Sequence, residues 1–314
     1  MILNIGDRKT KMLLGLAKTP LLFYPHYKYS LPLPTVMMIE NTNHCNADCV
    51  MCPRATLSRP RGIMDFGLFE KIIGEVSRAK RKPVTHLHGF GEPMLDKRLP
   101  DKIRLAKAHG IKRTYIVSNA SLLSPETSRK LIGAGLDKMK ISFYGTDEAS
   151  YNNTMRRLDF NVTLQNIKDF LRIRKEMGSG TPKLIIQYLP NDTNQARTAE
   201  FEALWKPLID PEIGDCLNVS SLHNYGGGRA YNRLGKKIVS VCYFPWTSMS
   251  VLWDGRVVTC CMDSNGVQVL GDLRTQTVQE VWNGPVLTGL RDRFRKLDYG
   301  KYPVCLSCDW VRRR

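Results

Sequence analysis

Cys45, Cys49 and Cys52 stand in a C-x3-C-x2-C run, Cys45-Asn46-Ala47-Asp48-Cys49-Val50-Met51-Cys52. Three thiols this close are one short of a closed four-ligand metal site, so a group other than cysteine must complete it. Thiolates select zinc, Cu(I) or iron–sulfur clusters. A [4Fe–4S] cube held by only three of them keeps one iron open to a ligand or substrate, and that opening points to an enzyme. Two plainer alternatives are a zinc site with a distant fourth ligand and three unrelated buried cysteines. A zinc knuckle pairs C-x2-C elements with a nearby histidine, and here the adjacent histidine, His44, directly abuts Cys45. The mostly apolar Val36-Met37-Met38-Ile39-Glu40 reads as a strand running almost straight into the loop. The loop then sits at a strand's C-terminal end, where α/β folds place chemistry.

On these residues the chain resembles the radical S-adenosylmethionine (SAM) enzymes, in which C-x3-C-x-Φ-C follows the first strand and Φ is usually aromatic. Met51 stands at Φ, and methionine can pack on an adenine face through its polarizable sulfur. His88-Gly89-Phe90-Gly91-Glu92-Pro93 is similar to that family's Gly-Gly-Glu-Pro segment after the second strand, whose backbone approaches the methionyl amino group of SAM. Phe90 replaces one glycine, while Gly89 and Gly91 still permit close backbone approach. Taken alone the segment would be an ordinary turn and Glu92 an ordinary cap.

A second cysteine set, Cys242, Cys260, Cys305 and Cys308, reads C-x17-C-x44-C-x2-C, and four thiolates can close a site. Between the first two, Val251 to Val258 reads as a hairpin turning at Asp254-Gly255. This set resembles the "twitch" form of the SPASM extension of radical SAM enzymes, which carries one auxiliary [4Fe–4S] cluster, with a spacing similar to that of the family's aminocyclitol dehydrogenases. A zinc ribbon is the alternative on ligand spacing alone. Cys261 directly follows Cys260, and neighbours on an extended segment point in opposite directions, so only one can comfortably face the cluster. The resemblance assigns the ligand to Cys260. Cys261 is then either a packed small hydrophobe or a catalytic thiol that donates a hydrogen atom, as in radical SAM epimerases. Cys216, in an apolar run, reads as core.

Stepping out to the elements, strand-like and helix-like segments alternate, the pattern of parallel βαβ units. The strands expected are Val36 to Asn41, Val84 to Gly89, Lys112 to Ser118, Lys138 to Phe143, Lys183 to Leu189 and Cys216 to Leu222. Six such repeats suit an α/β fold of partial (β/α)6 TIM-barrel type with a small C-terminal twitch/SPASM extension. One helix carries Phe66, Phe69, Ile72, Ile73 and Val76 at core-facing spacing with Asp65 as cap. Another carries Leu164, Ile167, Phe170, Leu171 and Met177 and closes at Gly178. The domains expected are a basic, apolar, proline-broken extension over 1–34, a core over 35–225, a glycine- and lysine-containing linker over 226–241, and the cluster-bearing extension over 242–314.

Barrel chemistry sits at the C-terminal ends of strands, which nominates Ser118-Asn119, Ser142, Gln187 and His223-Asn224. The resemblance implies that Ser118, Asn119, Ser142 and Gln187 contact SAM's carboxylate, ribose or adenine, and Arg157 could pair the carboxylate bidentately. Each is also an ordinary polar turn or helix-end residue. His86 and Tyr144 carry no specific signal.

The 314 residues suffice for a barrel of about 200–250 residues plus a small extension. Nine cysteines in mostly clustered patterns, without a recognisable signal peptide, suit a reducing cytoplasm. The stretch Met12 to Ala17 is too short for a membrane span, though a short amphipathic helix within 1–34 is compatible with peripheral membrane contact. Lys and Arg number 47 against 29 Asp and Glu, a net +18 that steers anionic partners toward the surface. No nucleic-acid module is recognisable. An acidic redox donor such as flavodoxin or ferredoxin, or a phosphorylated substrate, accounts for the charge at least as well.

The resemblance implies an enzyme that reductively cleaves SAM to a 5′-deoxyadenosyl radical and abstracts hydrogen from substrate. Transfer of the remaining electron to the auxiliary cluster gives dehydrogenation, and return of a hydrogen atom by Cys261 gives epimerisation. A small hydroxylated substrate (a sugar, aminocyclitol or nucleotide-linked metabolite) is the leading expectation. The alternatives are a peptide-modifying maturase, for which residues 1–34 are too short to form a peptide-recognition domain, and a zinc-stapled, non-catalytic nucleic-acid binder.

Overall fold

Val36–Ile39 (β1) is buried along its whole length, as its unbroken apolar sequence requires of a strand covered on both faces. It begins an alternating series described by a computed structural model over residues 31–194, 197–227, 238 and 240–312. After β1 come α1 (Phe66–Ser77), β2 (Val84–His86), α2 (Leu99–Ala108), β3 (Thr114–Ser118), α3 (Pro125–Gly133), β4 (Lys138–Ser142), α4 (Glu148–Thr154), α5 (Phe160–Glu176), β5 (Lys183–Tyr188), α6 (Thr198–Trp205) and β6 (Cys216–Val219). The C-terminal part adds α7 (Phe244–Thr247), β7 (Ser248–Val251), β8 (Arg256–Val258), β9 (Val269–Asp272), α8 (Val278–Asn283), α9 (Pro285–Arg295) and α10 (Pro303–Leu306).

The six expected strands all form, each within its expected segment and shorter at one or both ends, and they pair in parallel as a partial barrel. What the sequence did not foretell is the place of the C-terminal hairpin. Its first strand, β7, lies parallel to β1 on the edge away from β2, with Val36 opposite Ser248 and Ile39 opposite Val251. One sheet in the order β6-β5-β4-β3-β2-β1-β7-β8-β9 therefore runs through both cysteine-bearing regions. The hairpin turns at Asp254-Gly255 as expected, with Gly255 at φ 91°, a conformation that glycine adopts without a Cβ penalty.

In α1 the Asp65 carboxylate accepts from the Leu68 amide at 3.0 Å, and Phe69, Ile72, Ile73 and Val76 are buried. Phe66 stays half-buried beneath the Arg98 guanidinium, 3.6 Å from its ring centroid. Helix α5 buries Ile167 and Phe170. Met177, expected in the core, is instead exposed, because the helix ends at Glu176 and the chain turns away at Gly178, φ 61°. No helix among the described residues is long and apolar enough to cross a membrane. Residues 1–30 of the N-terminal extension, and with them the membrane contact considered above, lie outside the described residues, as does most of the 226–241 linker.

Candidate active site

The C-terminal ends of the parallel strands surround one large cleft with an empty volume of about 1580 Å³, solvent mouth included. Cys45, Cys49 and Cys52 line it on the loop that follows β1. That loop is held by backbone bonds to a distant segment: the Asp48 amide donates to the Arg156 carbonyl at 2.9 Å, and Val50 to Thr154 at 3.0 Å. The Cys45 sulfur accepts from the Ala47 amide at 3.5 Å. Burial raises the Cys49 thiol pKa, and the charges of Cys52 and Cys45 raise it further. Thiols that oppose one another's ionisation need a cation between them before they can all serve as thiolates, which fits an iron cluster at this loop.

The glycine-bearing segment after β2 lies directly on the cysteine loop. A Cβ on Gly91 would stand 2.3 Å from the Thr42 carbonyl oxygen and 2.5 Å from that of His44, and one on Gly89 would meet the Glu40 side chain at 2.5 Å. Gly91 is thus required by the protein's own backbone and Gly89 by the Glu40 side chain, whatever ligand lies beyond. Gly91→Ala is expected to cost about 1–3 kcal/mol, because two carbonyls cannot rotate out of the way as a side chain could. A lowered denaturation midpoint together with reduced iron content would show it.

Glu92 is fully buried and accepts from the Ser118 hydroxyl at 2.8 Å, the Asn119 amide at 2.8 Å and the Met94 amide at 3.2 Å. Burial pushes its carboxyl up to about 7 against the pull of those three donors. The Asn119 side chain donates to Asn46 in the cysteine loop at 3.0 Å. Ser118 and Asn119, nominated above as SAM contacts, line the cleft, and these bonds commit them to holding Glu92 and the loop. Met51, Gly89, Phe90, Gly91, Ser142 and Gln187 line the same cleft. Tyr144 donates to Ser142 at 2.9 Å, and Ser142 stands opposite Gln187 in register. Arg157 departs from this set. It is exposed, at φ 69°, and is not part of the lining. The sequence offered no clue to this, because the same Met155-Arg156-Arg157 turn gives up its backbone to the cysteine loop instead.

The two cysteine-bearing regions are joined at Glu40. Its carboxylate takes two bonds from Arg59 at 2.7 and 2.6 Å and accepts from the amides of Phe90 at 3.1 Å and Trp253 at 3.2 Å. Arg59 in turn donates to the Ser264 carbonyl at 2.6 Å. One buried ion pair therefore fixes the end of β1, the glycine segment and the β7–β8 hairpin to one another.

Cys242, Cys260, Cys305 and Cys308 line a second, smaller cavity walled by Phe244, Phe294, Val304 and Trp310. Burial raises all four thiols, and neighbouring cysteines add to it in each. Cys260 accepts from the Met262 amide at 3.4 Å. Cys261 is absent from this lining and lines only the large cleft, whereas Cys260 borders both, and the charge of Cys261 is felt by Cys242, Cys260 and Cys308. Among the described residues no three His, Cys, Asp or Glu side chains converge as the ligands of one ion do. His223 borders both cavities, and Asn224 ties β6 to the last cysteine segment through Ser307 and Asp309. Cys216 is half-buried on β6 rather than deep in the core.

Sequence reasoning missed the lower wall of the cleft, where His88, Lys140 and Ser250 contribute. The signal existed in Lys138-Met139-Lys140-Ile141-Ser142, whose period-2 polarity gives the barrel interior a polar face.

Residues 39–197 match the model of the Radical SAM superfamily, and residues 242–309 match that of an iron–sulfur cluster-binding domain, SPASM. A Pyrococcus furiosus tungsten-containing aldehyde ferredoxin oxidoreductase cofactor-modifying protein is 24% identical, over 87% of this chain and 86% of its own. The SAM-dependent 2-deoxy-scyllo-inosamine dehydrogenase of Niallia circulans is 22% identical, over 88% and 93%. The crystal structure of BtrN in complex with AdoMet and 2-DOIA shares the fold at a TM-score of 0.62 and 18% identity, over 88% and 93% of the two chains. With a partial barrel, a three-cysteine loop at the end of its first strand and a four-cysteine cavity beside it, the chain belongs to the Radical SAM superfamily and carries a C-terminal SPASM domain, and its cofactors are SAM, a [4Fe–4S] cluster and auxiliary iron–sulfur chemistry.

Proposed function

We propose that this radical SAM enzyme dehydrogenates or epimerises a small hydroxylated substrate such as a sugar, an aminocyclitol or a nucleotide-linked metabolite. The observation that carries the reading is that Cys45, Cys49 and Cys52 line the same cleft as Cys260 and Cys261, so a small molecule in it is within the reach of both cysteine-bearing regions. The likeness over most of its length to a dehydrogenase acting on an aminocyclitol supports the same reading.

Cys45, Cys49 and Cys52 would hold the first cluster, and Cys242, Cys260, Cys305 and Cys308 the auxiliary one. When bound, the first cluster with SAM supplies one-electron cleavage of the sulfonium and removal of a hydrogen atom from substrate. The chain's own part is positioning. Glu92, braced by Ser118 and Asn119, presents a carboxyl beside the cysteine loop, suited to an ammonium group. Met51, Gly89, Phe90, Gly91, Ser142 and Gln187 form the surface on which the nucleoside would lie, and Arg157 is left out of that surface. Cys261 is the one thiol of the second region that faces the cleft without lining the auxiliary cavity, a position from which an S–H could reach a substrate carbon. An acidic one-electron donor such as flavodoxin or ferredoxin suits the +18 surface.

The test is an anaerobic assay with SAM, dithionite and a panel of polyols in deuterated water, following 5′-deoxyadenosine and product mass. Oxidised product without deuterium is the result for a dehydrogenase. Deuterium incorporation that disappears in Cys261→Ala is the result for an epimerase. Turnover of peptides and of no polyol would overturn the proposal.

A further inference from the structure

Five cationic side chains are buried among the described residues: Arg59, Lys102, Lys140, Arg174 and Arg291. Four have obvious partners. Arg59 holds Glu40, Lys102 holds Asp96 at 2.7 Å, Arg174 holds Asp215 at 2.6 Å, and Arg291 donates to the carbonyls of Pro245 and Trp282, both at 2.9 Å. Lys140 is the exception. It is 2% exposed and lines the cleft, yet no described residue gives it a hydrogen bond or an ion pair. A buried ammonium without a counter-charge is costly, and proteins keep such a group where something else supplies the charge.

No carboxylate is among the charges acting on Lys140: these come from the Cys216 thiol on β6, which raises its pKa, and from Lys138 on its own strand, which lowers it. Lys140 in turn acts on His86 at the end of β2 and on His88 beyond it. Burial lowers the pKa of both imidazoles, so they stay neutral, and it lowers that of Lys140 only to about 8. Of the cleft's carboxylates, Glu40 is engaged with Arg59, Glu92 with Ser118 and Asn119, and Asp263 with the amides of Val267 and Gln268, while Asp48 is exposed on the cysteine loop. A further polar group waits in the same cleft: the Ser250 hydroxyl is buried without a hydrogen-bond partner. Lys140 precedes Ser142 by two residues on β4, so it lies roughly 6.6 Å deeper in the barrel than the strand-end residues.

We propose that Lys140, with Ser250 in the lining of the same cleft, binds an anionic oxygen group, carboxylate or phosphate, carried by the substrate. This rests on the cleft being the substrate site as proposed above, and it narrows the substrate to an acid. A lysine suits the task as a compact charge with three donors that adapt to either anion, and the Ser250 hydroxyl on β7 adds a neutral donor. The +18 surface draws such an acid toward the chain.

Binding can be tested without turnover, so failure here is separable from failure of the proposed reaction. Holoenzyme, reconstituted anaerobically and saturated with SAM, is titrated with malonate and with inorganic phosphate at constant ionic strength, following the thermal unfolding midpoint. One of the two anions is expected to raise the midpoint, and which one does so assigns carboxylate or phosphate. Lys140→Met is expected to weaken that response at least tenfold while unfolding at an equal or higher temperature in the absence of anion, because it removes an uncompensated charge. Lys140→Gln serves as a second variant should the first fold poorly. An unresponsive wild type, a response unchanged in the variants (ions held by the surface), or a variant that loses SAM affinity with its anion response intact would each overturn the assignment. The polyol assay stands or falls independently.

Discussion

Replacing Cys49 with alanine is expected to bring 5′-deoxyadenosine formation below detection and to cut iron from about eight to about four per chain, the content of one cubane instead of two. Cys49 is the middle member of the three-cysteine loop, and its loss leaves two thiols at a site that already has one vacancy. Nothing nearby can substitute: its close neighbour Met155, 3.6 Å away sulfur to sulfur, is a thioether that cannot ionise. The four-cysteine cavity has its own complete set and stays loaded, so the variant should remain brown with about half the absorbance. Iron analysis and the visible spectrum together check this. A variant with full iron and undiminished SAM cleavage would sink the assignment of the loop, while Cys216→Ala, which alters a thiol outside both sets, should change neither measurement.

The second large effect is on stability. Arg59→Ala leaves Glu40 buried without its counter-charge, and breaking a buried pair in this way costs about 3–5 kcal/mol. For a chain of this size that corresponds to a fall of roughly 6–20 °C in unfolding temperature, taking about 2–4 °C per kcal/mol. The damage should reach beyond the pair, because the same carboxylate receives the Phe90 and Trp253 amides. Weaker loading of both clusters is therefore expected along with the lower midpoint. The double replacement Glu40→Leu with Arg59→Met removes both charges and should recover much of the loss, since well-packed apolar groups often replace a buried pair at little cost. Calorimetry of the two single variants and the double variant checks it. A single variant as stable as wild type would show that solvent reaches the carboxylate.

Much of this site could be read from the chain because its parts are local. Cys45, Cys49 and Cys52 lie within eight residues, and Gly89 to Glu92 within four, so spacing alone displays the chemistry. The parallel strands were legible from their alternation with amphipathic helices, and Asp65, Asp254-Gly255 and Gly178 marked where elements start, turn and stop. Met177 and Arg157 are exposed for a common reason: both sit at element ends, where a one-residue change in where the chain turns decides whether a side chain faces in or out. Lys140 escaped notice because a lysine within a strand ordinarily reads as solvent-facing, and only closure of the sheet turns that face into an interior.

What the sequence by itself determined was the two cysteine groupings, the family and the βα order, because each is written in short-range spacing. The tertiary structure decided that β7 pairs with β1, that Cys260 borders both cavities while Cys261 lines only the large cleft, that Glu40 and Arg59 lock the two regions together, and that Lys140 lies buried without a hydrogen bond or ion pair among the described residues. These are contacts between residues far apart in the chain, fixed by strand register and sheet curvature, and no local pattern of residues encodes the distance between them.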